Sequence, residues 1–191
     1  MRKVIALRGL NGSGKSTACL GYIDRHRPVT TCSIDICDGP CKTITVTSGA
    51  VFLGDYTRGV KHPGAEGTWK EPHIFHVLAR VFDEYPGRDV VIDSSVFNRL
   101  TSFTMKLNDF CDDAGYELVS VFLDISVDDV IPRMSSRNGG KPVNMGSLRK
   151  QAVRLKNQTN ELNAAGIETV VVGVRDLTVD DTRDLLSRYI R

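Results

Sequence analysis

The sequence predicts an α/β domain: a parallel sheet with helices on both faces and a small β-hairpin insertion after the first helix. Two observations carry this. Short segments that are apolar throughout, Val4 to Leu7, Val90 to Ile92, Leu118 to Leu123 and Ile167 to Val172, alternate with segments of helical periodicity. Strands buried on both faces read as continuous apolar runs, and strand–helix alternation is the signature of a parallel sheet. In addition, 191 residues with 41% hydrophobic and 25% charged side chains fit one domain over 1–191 with a core of its own.

Taken in order, Val4 to Leu7 is a buried strand that runs into Arg8-Gly9 and a glycine-rich loop. Lys15 to Arg27 is a helix stopped before Pro28, since a residue preceding proline disfavours helix. Thr30 to Ile36 and Thr43 to Thr47 are rich in Thr, Val and Ile and flank Asp38-Gly39-Pro40, a hairpin signal. Val51 to Tyr56 is a further strand. Thr57 to Thr68 holds three glycines and a proline and reads as a functional loop. Glu71 to Tyr85 is a helix with Ile74, Val77, Leu78, Val81 and Phe82 on one face. Val90 to Asp93 is a strand, Asn98 to Ala114 a helix closed by Gly115, and Leu118 to Leu123 a strand ending in Asp124. Helices follow over Val127 to Arg137 and Ser147 to Ala164, then the strand Ile167 to Val172. Thr178 caps a last helix to Tyr189.

Composition excludes little and excludes it clearly. The net charge is +2, so whole-chain charge does not announce a nucleic-acid binder, although a local basic patch is compatible with it. No apolar run is long enough for a transmembrane helix, and the apolar part of the N-terminus is too short for a signal peptide. Five cysteines, an odd number without zinc-type spacing, read as free thiols in a reducing cytosol.

Residues Gly9 to Ser16 match the pattern G-x-x-x-x-G-K-[ST], placed as that motif requires between a strand and a helix. The glycines let successive backbone N–H groups turn inward as a nest for phosphate oxygens. The N-terminus of the following helix adds its positive end. Gly9, Asn11, Gly12, Ser13, Gly14, Lys15, Ser16 and Thr17 are therefore the expected triphosphate-binding residues. Lys15 reaches the β- and γ-phosphates, and the Ser16 hydroxyl is a hard oxygen ligand for Mg²⁺. This predicts a P-loop NTPase fold. A guanine-reading Asn-Lys-x-Asp is missing from the sequence, and a motor or transporter ATPase would carry further domains, so the small-kinase type remains.

Such kinases need an acid in the metal shell, a base for the acceptor hydroxyl and cations over the transferring phosphoryl. Asp93, ending an apolar strand, is the expected metal-shell acid, and helix capping is its alternative role. Asp55 is the leading base and Asp35 its rival, the latter equally a solvent-facing acid within the hairpin. Glu66 is a candidate to hold the acceptor or, equally, a solvated loop carboxylate. Arg133 and Arg137, one helical turn apart, are the candidate lid cations of a lid over about 133–146, with Lys141 following. Arg149, Arg154 and Lys156 continue the basic character and suit either polyanion steering or solubility.

Several stretches together resemble a known group: the glycine loop, Leu53-Gly54-Asp55-Tyr56 with Pro63-Gly64-Ala65-Glu66-Gly67-Thr68, Val91-Ile92-Asp93-Ser94-Ser95, and Phe122-Leu123-Asp124 followed by Arg133 and Arg137. The chain resembles bacteriophage P-loop kinases, most closely the 5-hydroxymethyluracil DNA kinases of thymine hypermodification. The resemblance implies ATP as donor, Mg²⁺, DNA containing 5-hydroxymethyluracil as acceptor, and the host-cell cytoplasm as location. It also implies extrusion of the target base, with Tyr56, Trp69, His62 and Lys61 near the loop either to stack on it and hold the backbone or, for the two large aromatics, to pack inside. The family usually carries Gly-Gly-x-Asp where this chain has Gly64-Ala65-Glu66, and often Glu-Gly where it has Asp93-Ser94. A small-molecule kinase and a non-catalytic ATP-binding module are the alternative readings.

Overall fold

The computed structural model describes residues 1–36, 39–57, 69–94, 101–137, 139 and 142–190. Its elements are β1 (Arg2–Gly9), α1 (Lys15–Arg25), β2 (Thr30–Ile34), β3 (Lys42–Val46), β4 (Ala50–Leu53), α2 (Glu71–Glu84), β5 (Asp89–Asp93), α3 (Thr101–Asp113), β6 (Tyr116–Asp124), α4 (Val127–Arg137), α5 (Met145–Ala164), β7 (Thr169–Gly173) and α6 (Val179–Asp184). A 3₁₀ turn over Leu185–Arg188 follows α6. The strands form one seven-stranded sheet in the order β2-β3-β4-β5-β1-β6-β7.

From β4 to β7 the neighbours are all parallel. β1 lies inside the sheet between β5 and β6, where its apolar run is buried on both faces. Val4, Ile5, Ala6 and Leu7 are all 0% exposed. Val4 and Ala6 face one core with α2 and α3, and Ile5 and Leu7 face the other with α1. Each such side chain contributes about 1.5–3 kcal/mol through burial. The strand order reverses direction around β1, and in open α/β sheets ligands bind beyond the carboxyl ends of the strands at such a point.

The predicted hairpin after α1 is present and joins the main sheet. β2 and β3 pair antiparallel, β3 pairs antiparallel with β4, and all three extend the main sheet. Thr47 closes the second turn, exchanging side-chain hydrogen bonds of 3.0 Å with both the N–H and the carbonyl of Ala50. Three other expectations shift. α5 starts at Met145 rather than Ser147, because the Asn144 side chain accepts from the Ser147 N–H at 3.0 Å and so caps the helix earlier. The helix expected over 178–189 breaks after Asp184 into the 3₁₀ turn. β7 is only partly buried, with Val171 51% exposed, because as an edge strand it has β6 as its sole neighbour.

The close packing of α1 on α6 depends on Gly21. A Cβ added there would lie 2.3 Å from Arg183 Cβ and 2.4 Å from Arg183 Cα. Alanine is worth about 1 kcal/mol over glycine inside a helix, whereas forced overpacking costs about 1–3 kcal/mol. Backbone cannot swing away as a side-chain end can, so overpacking should win. Gly21→Ala is expected to melt several degrees lower; a variant that melts higher would show the helices free to separate.

Candidate active site

The site is built where β1 ends. Gly9, Gly12 and Gly14 have φ of 145°, 85° and 102°, values an L side chain rarely adopts. At Gly9 space is lacking as well: a Cβ would sit 2.7 Å from Ser13 Oγ and 2.9 Å from the Leu123 carbonyl oxygen. The turn is closed by the Ser13 N–H donating to the Leu10 carbonyl at 3.0 Å. Gly14 is the N-cap of α1, so the loop delivers the helix N-terminus to the same place. Lys15 is 5% exposed, and its ammonium donates to the carbonyls of Gly9 at 3.1 Å and Leu10 at 3.2 Å. Those bonds hold the cation at the mouth of the loop. Ser13 Oγ is buried and has no hydrogen-bond partner among the described residues.

One residue further along α1, Ser16 Oγ donates to Asp93 Oδ2 at 2.8 Å. Asp93 is fully buried at the end of β5, in register with Leu7 of β1. A hydroxyl and a carboxylate, both hard oxygens, thus meet directly under the phosphate loop. Among the described residues no group of three or more His, Cys, Asp or Glu could hold a metal. The Ser16 hydroxyl and Asp93 carboxylate fit Mg²⁺, which typically takes one or two protein oxygens and fills the rest of its octahedron with phosphate and water. They do not suit a caged structural metal. Cys19, Cys32, Cys41 and Cys111 are free thiols, and burial pushes the Cys111 thiol up to about 12.

A cleft of about 390 Å³ opens over the loop. Asn11, Gly12, Gly14, Lys15, Ser16 and Thr17 form its floor, and Arg133 and Arg137 of α4 form one wall. The spacing of the two arginines thus projects both into the phosphate region. α4 reaches it by packing on the loop: a Cβ on Gly12 would lie 3.2 Å from Met134 Cγ. The opposite wall was missed in the sequence. It consists of Leu177, Thr178, Val179 and Thr182. Thr178 does cap α6, accepting from the Asp181 N–H at 3.1 Å, while the Asp181 carboxylate accepts from the Thr178 N–H at 2.9 Å. Hydrogen bonds from Thr178 hold the Asp181 carboxyl below its usual range.

The candidate bases separate in space. Asp55 follows Gly54 at the end of β4 and is half-buried, with Oδ1 accepting from the Thr57 N–H at 2.9 Å and its hydroxyl at 2.6 Å. Leu53 pairs with Ile92, so Asp55 stands beside the strand that ends in Asp93. Asp35 is not brought to the loop. It follows β2, the outer edge of the sheet and four strands from β1, which at the usual strand spacing is about 19 Å. It is exposed and accepts from the Cys41 thiol at 2.7 Å. Glu66, Lys61, His62 and Lys141 lie outside the described residues. Tyr56 and Trp69 pack inside, at 4% and 8% exposure, with Tyr56 edge-on to Phe52 at a centroid distance of 5.7 Å. Packing, not base stacking, is what these two rings do here.

No family model matches the chain. A 5-hmdU DNA kinase of Pseudomonas phage M6 is 28% identical over 145 residues, which cover 74% of this chain and 75% of that protein. The tunicamycin resistance protein of Deinococcus radiodurans superposes with a TM-score of 0.52 at 17% identity, over 98% of this chain and 95% of the other. Among the described residues no helix is long and apolar enough to cross a membrane. The chain is a protein of P-loop fold, with a mostly parallel seven-stranded sheet, and its sequence resembles that of a phage 5-hmdU DNA kinase.

Proposed function

We propose that this chain is an ATP-dependent kinase that transfers the γ-phosphoryl group to the hydroxymethyl oxygen of 5-hydroxymethyluracil in DNA, a step in thymine hypermodification. The observation that carries the kinase reading is the 2.8 Å contact between Ser16 and buried Asp93, with Ser16, Arg133 and Arg137 lining one cleft. The similarity to the phage protein supports the choice of acceptor.

In this reading the loop N–H groups and the N-terminus of α1 hold the triphosphate, and Leu177 and Val179 flank the nucleoside. Mg²⁺ bound at Ser16 and Asp93 would neutralise charge on the β- and γ-phosphate oxygens. Lys15 turns from its loop carbonyls to those phosphates. Arg133 and Arg137 bear on the charge that spreads over the transferring phosphoryl. Asp55 takes the proton of the acceptor hydroxyl as its oxygen forms the new bond to γ-phosphorus. The bond from γ-phosphorus to the bridging oxygen breaks, and ADP leaves. A base in duplex DNA must first be extruded, at about a few kcal/mol.

The test is transfer of labelled γ-phosphate from ATP with Mg²⁺ to hydroxymethyluracil DNA, thymine DNA and the free hydroxymethyl nucleotide side by side. Label on the hydroxymethyl DNA alone is the expected result. Label on the free nucleotide alone would make the chain a small-molecule kinase. In the same assay Ser16→Ala should raise the Mg²⁺ concentration for half-maximal transfer by about 10–100-fold, the size of effect usual for groups around a metal. An unchanged Mg²⁺ curve would remove Ser16 from the metal shell.

A further inference from the structure

Six exposed cations outside α5, namely Arg25, Arg27, Arg80, Lys106, Arg175 and Arg183, are paired with acids. α5 is different. Arg149, Lys150, Arg154 and Lys156 are all exposed, and none has an ion pair or hydrogen bond among the described residues. The one acid of α5 is Glu161, further along, and it accepts from the Thr101 hydroxyl. Leu148, Leu155, Gln158, Thr159 and Leu162 are the buried residues of the helix. At 3.6 residues per turn the four cations then spread over the opposite, outward half.

Stability does not account for this. A helix face selected for solubility alone mixes signs at i, i+4 and gains a few tenths of a kcal/mol per pair. Here like charges stand at 150 and 154, which repel. Such a face suits a polyanion. Arg149 to Lys156 spans about 10 Å of helix axis, the rise of about three phosphates along one strand of a duplex. The stripe also lies next to the chemistry: α5 begins eight residues after Arg137, and α4 and α5 are in contact.

We infer that the outward face of α5 is the surface that grips the backbone of duplex DNA and presents the extruded base to the phosphoryl-transfer cleft. This rests on DNA being the acceptor. Val153, 62% exposed between the cations, adds an apolar contact with the sugar edge.

The experiment compares wild type, Lys150→Gln/Arg154→Gln and a control, Arg27→Gln/Arg80→Gln, whose cations are ion-paired in the structure. Affinity for a short hydroxymethyluracil duplex is measured across salt concentrations, with KM and kcat for DNA at one of them. Each lost phosphate contact reduces the slope of log K against log salt by about 0.9, so the α5 variant should lose about 1.8 and bind roughly thirty-fold more weakly at about 0.15 M salt. KM for DNA should rise in step while kcat at saturating DNA stays, which a merely misfolded helix would not give. The control slope should match wild type. If wild type labels the duplex and the α5 variant keeps its slope and KM, the α5 assignment is wrong while the DNA reading stands. If wild type neither labels nor binds the duplex, the DNA reading itself fails, and this inference with it.

Discussion

Lys15→Ala is expected to reduce phosphoryl transfer by about 10²–10³-fold or more, the usual effect of deleting one preorganised group that meets developing transition-state charge. The lysine does two jobs. Its ammonium braces the loop through the Gly9 and Leu10 carbonyls, and in the proposed mechanism it is the cation that turns to the phosphates. Alanine removes both, so kcat and ATP affinity should fall together. Lys15→Arg separates the two roles. Arginine keeps the charge, but the site is 95% enclosed and a planar fork does not fit where a compact ammonium sits. Little rescue is therefore expected. Measured kcat and KM for ATP, with a thermal melt to show each variant folded, decide the matter. A rate near wild type for Lys15→Ala would remove the loop from the chemistry.

The parts of this site that a sequence displays are those fixed by neighbours in the chain. The glycines of the loop, Lys15 and Ser16 are legible because the motif is local and its strand and helix adjoin it. Asp93 is legible because a carboxylate after Val90-Val91-Ile92 must emerge at a strand end. Asp35 and Asp55 look alike at that level, since each lies near the end of a segment read as a strand, Thr30 to Ile36 and Val51 to Tyr56. Only the register separates them: β4 pairs with β5, while β2 pairs with β3 at the far edge. Leu177 to Thr182 was illegible as a cleft wall for the same kind of reason. Locally, Thr178 and Asp181 say no more than that a helix begins. What brings them opposite the loop is the crossing of α6 over α1, set by Gly21 against Arg183, more than 150 residues apart. The basic stripe on α5 was visible as three cations, but its meaning needed the acids to be located elsewhere first.

The choice between the two acids leads to the sharpest test of the mechanism. Asp55→Asn is expected to lower kcat by about 10²–10⁴-fold, the range for loss of a general base, while leaving ATP affinity near wild type. The substitution is unusually clean. Asp55 Oδ1 acts as an acceptor for the Thr57 N–H and hydroxyl, and an asparagine carbonyl accepts from both in the same geometry. The turn after β4 is thus retained and only basicity is lost. Asp55→Ala would lose the turn as well, so its effect should exceed that of asparagine by the cost of a local cap, about 0.5–2 kcal/mol in stability. Asp35→Asn disturbs only an exposed contact with Cys41 and should change kcat little. Single-turnover rates with ATP prebound isolate the chemical step from binding and product release. If Asp55→Asn turns over at the wild-type rate while Asp35→Asn or Glu66→Gln does not, the proton leaves the acceptor by another carboxylate. The acceptor would then have to enter from the β2 edge of the sheet or from the loop before Trp69, rather than between β4 and β5.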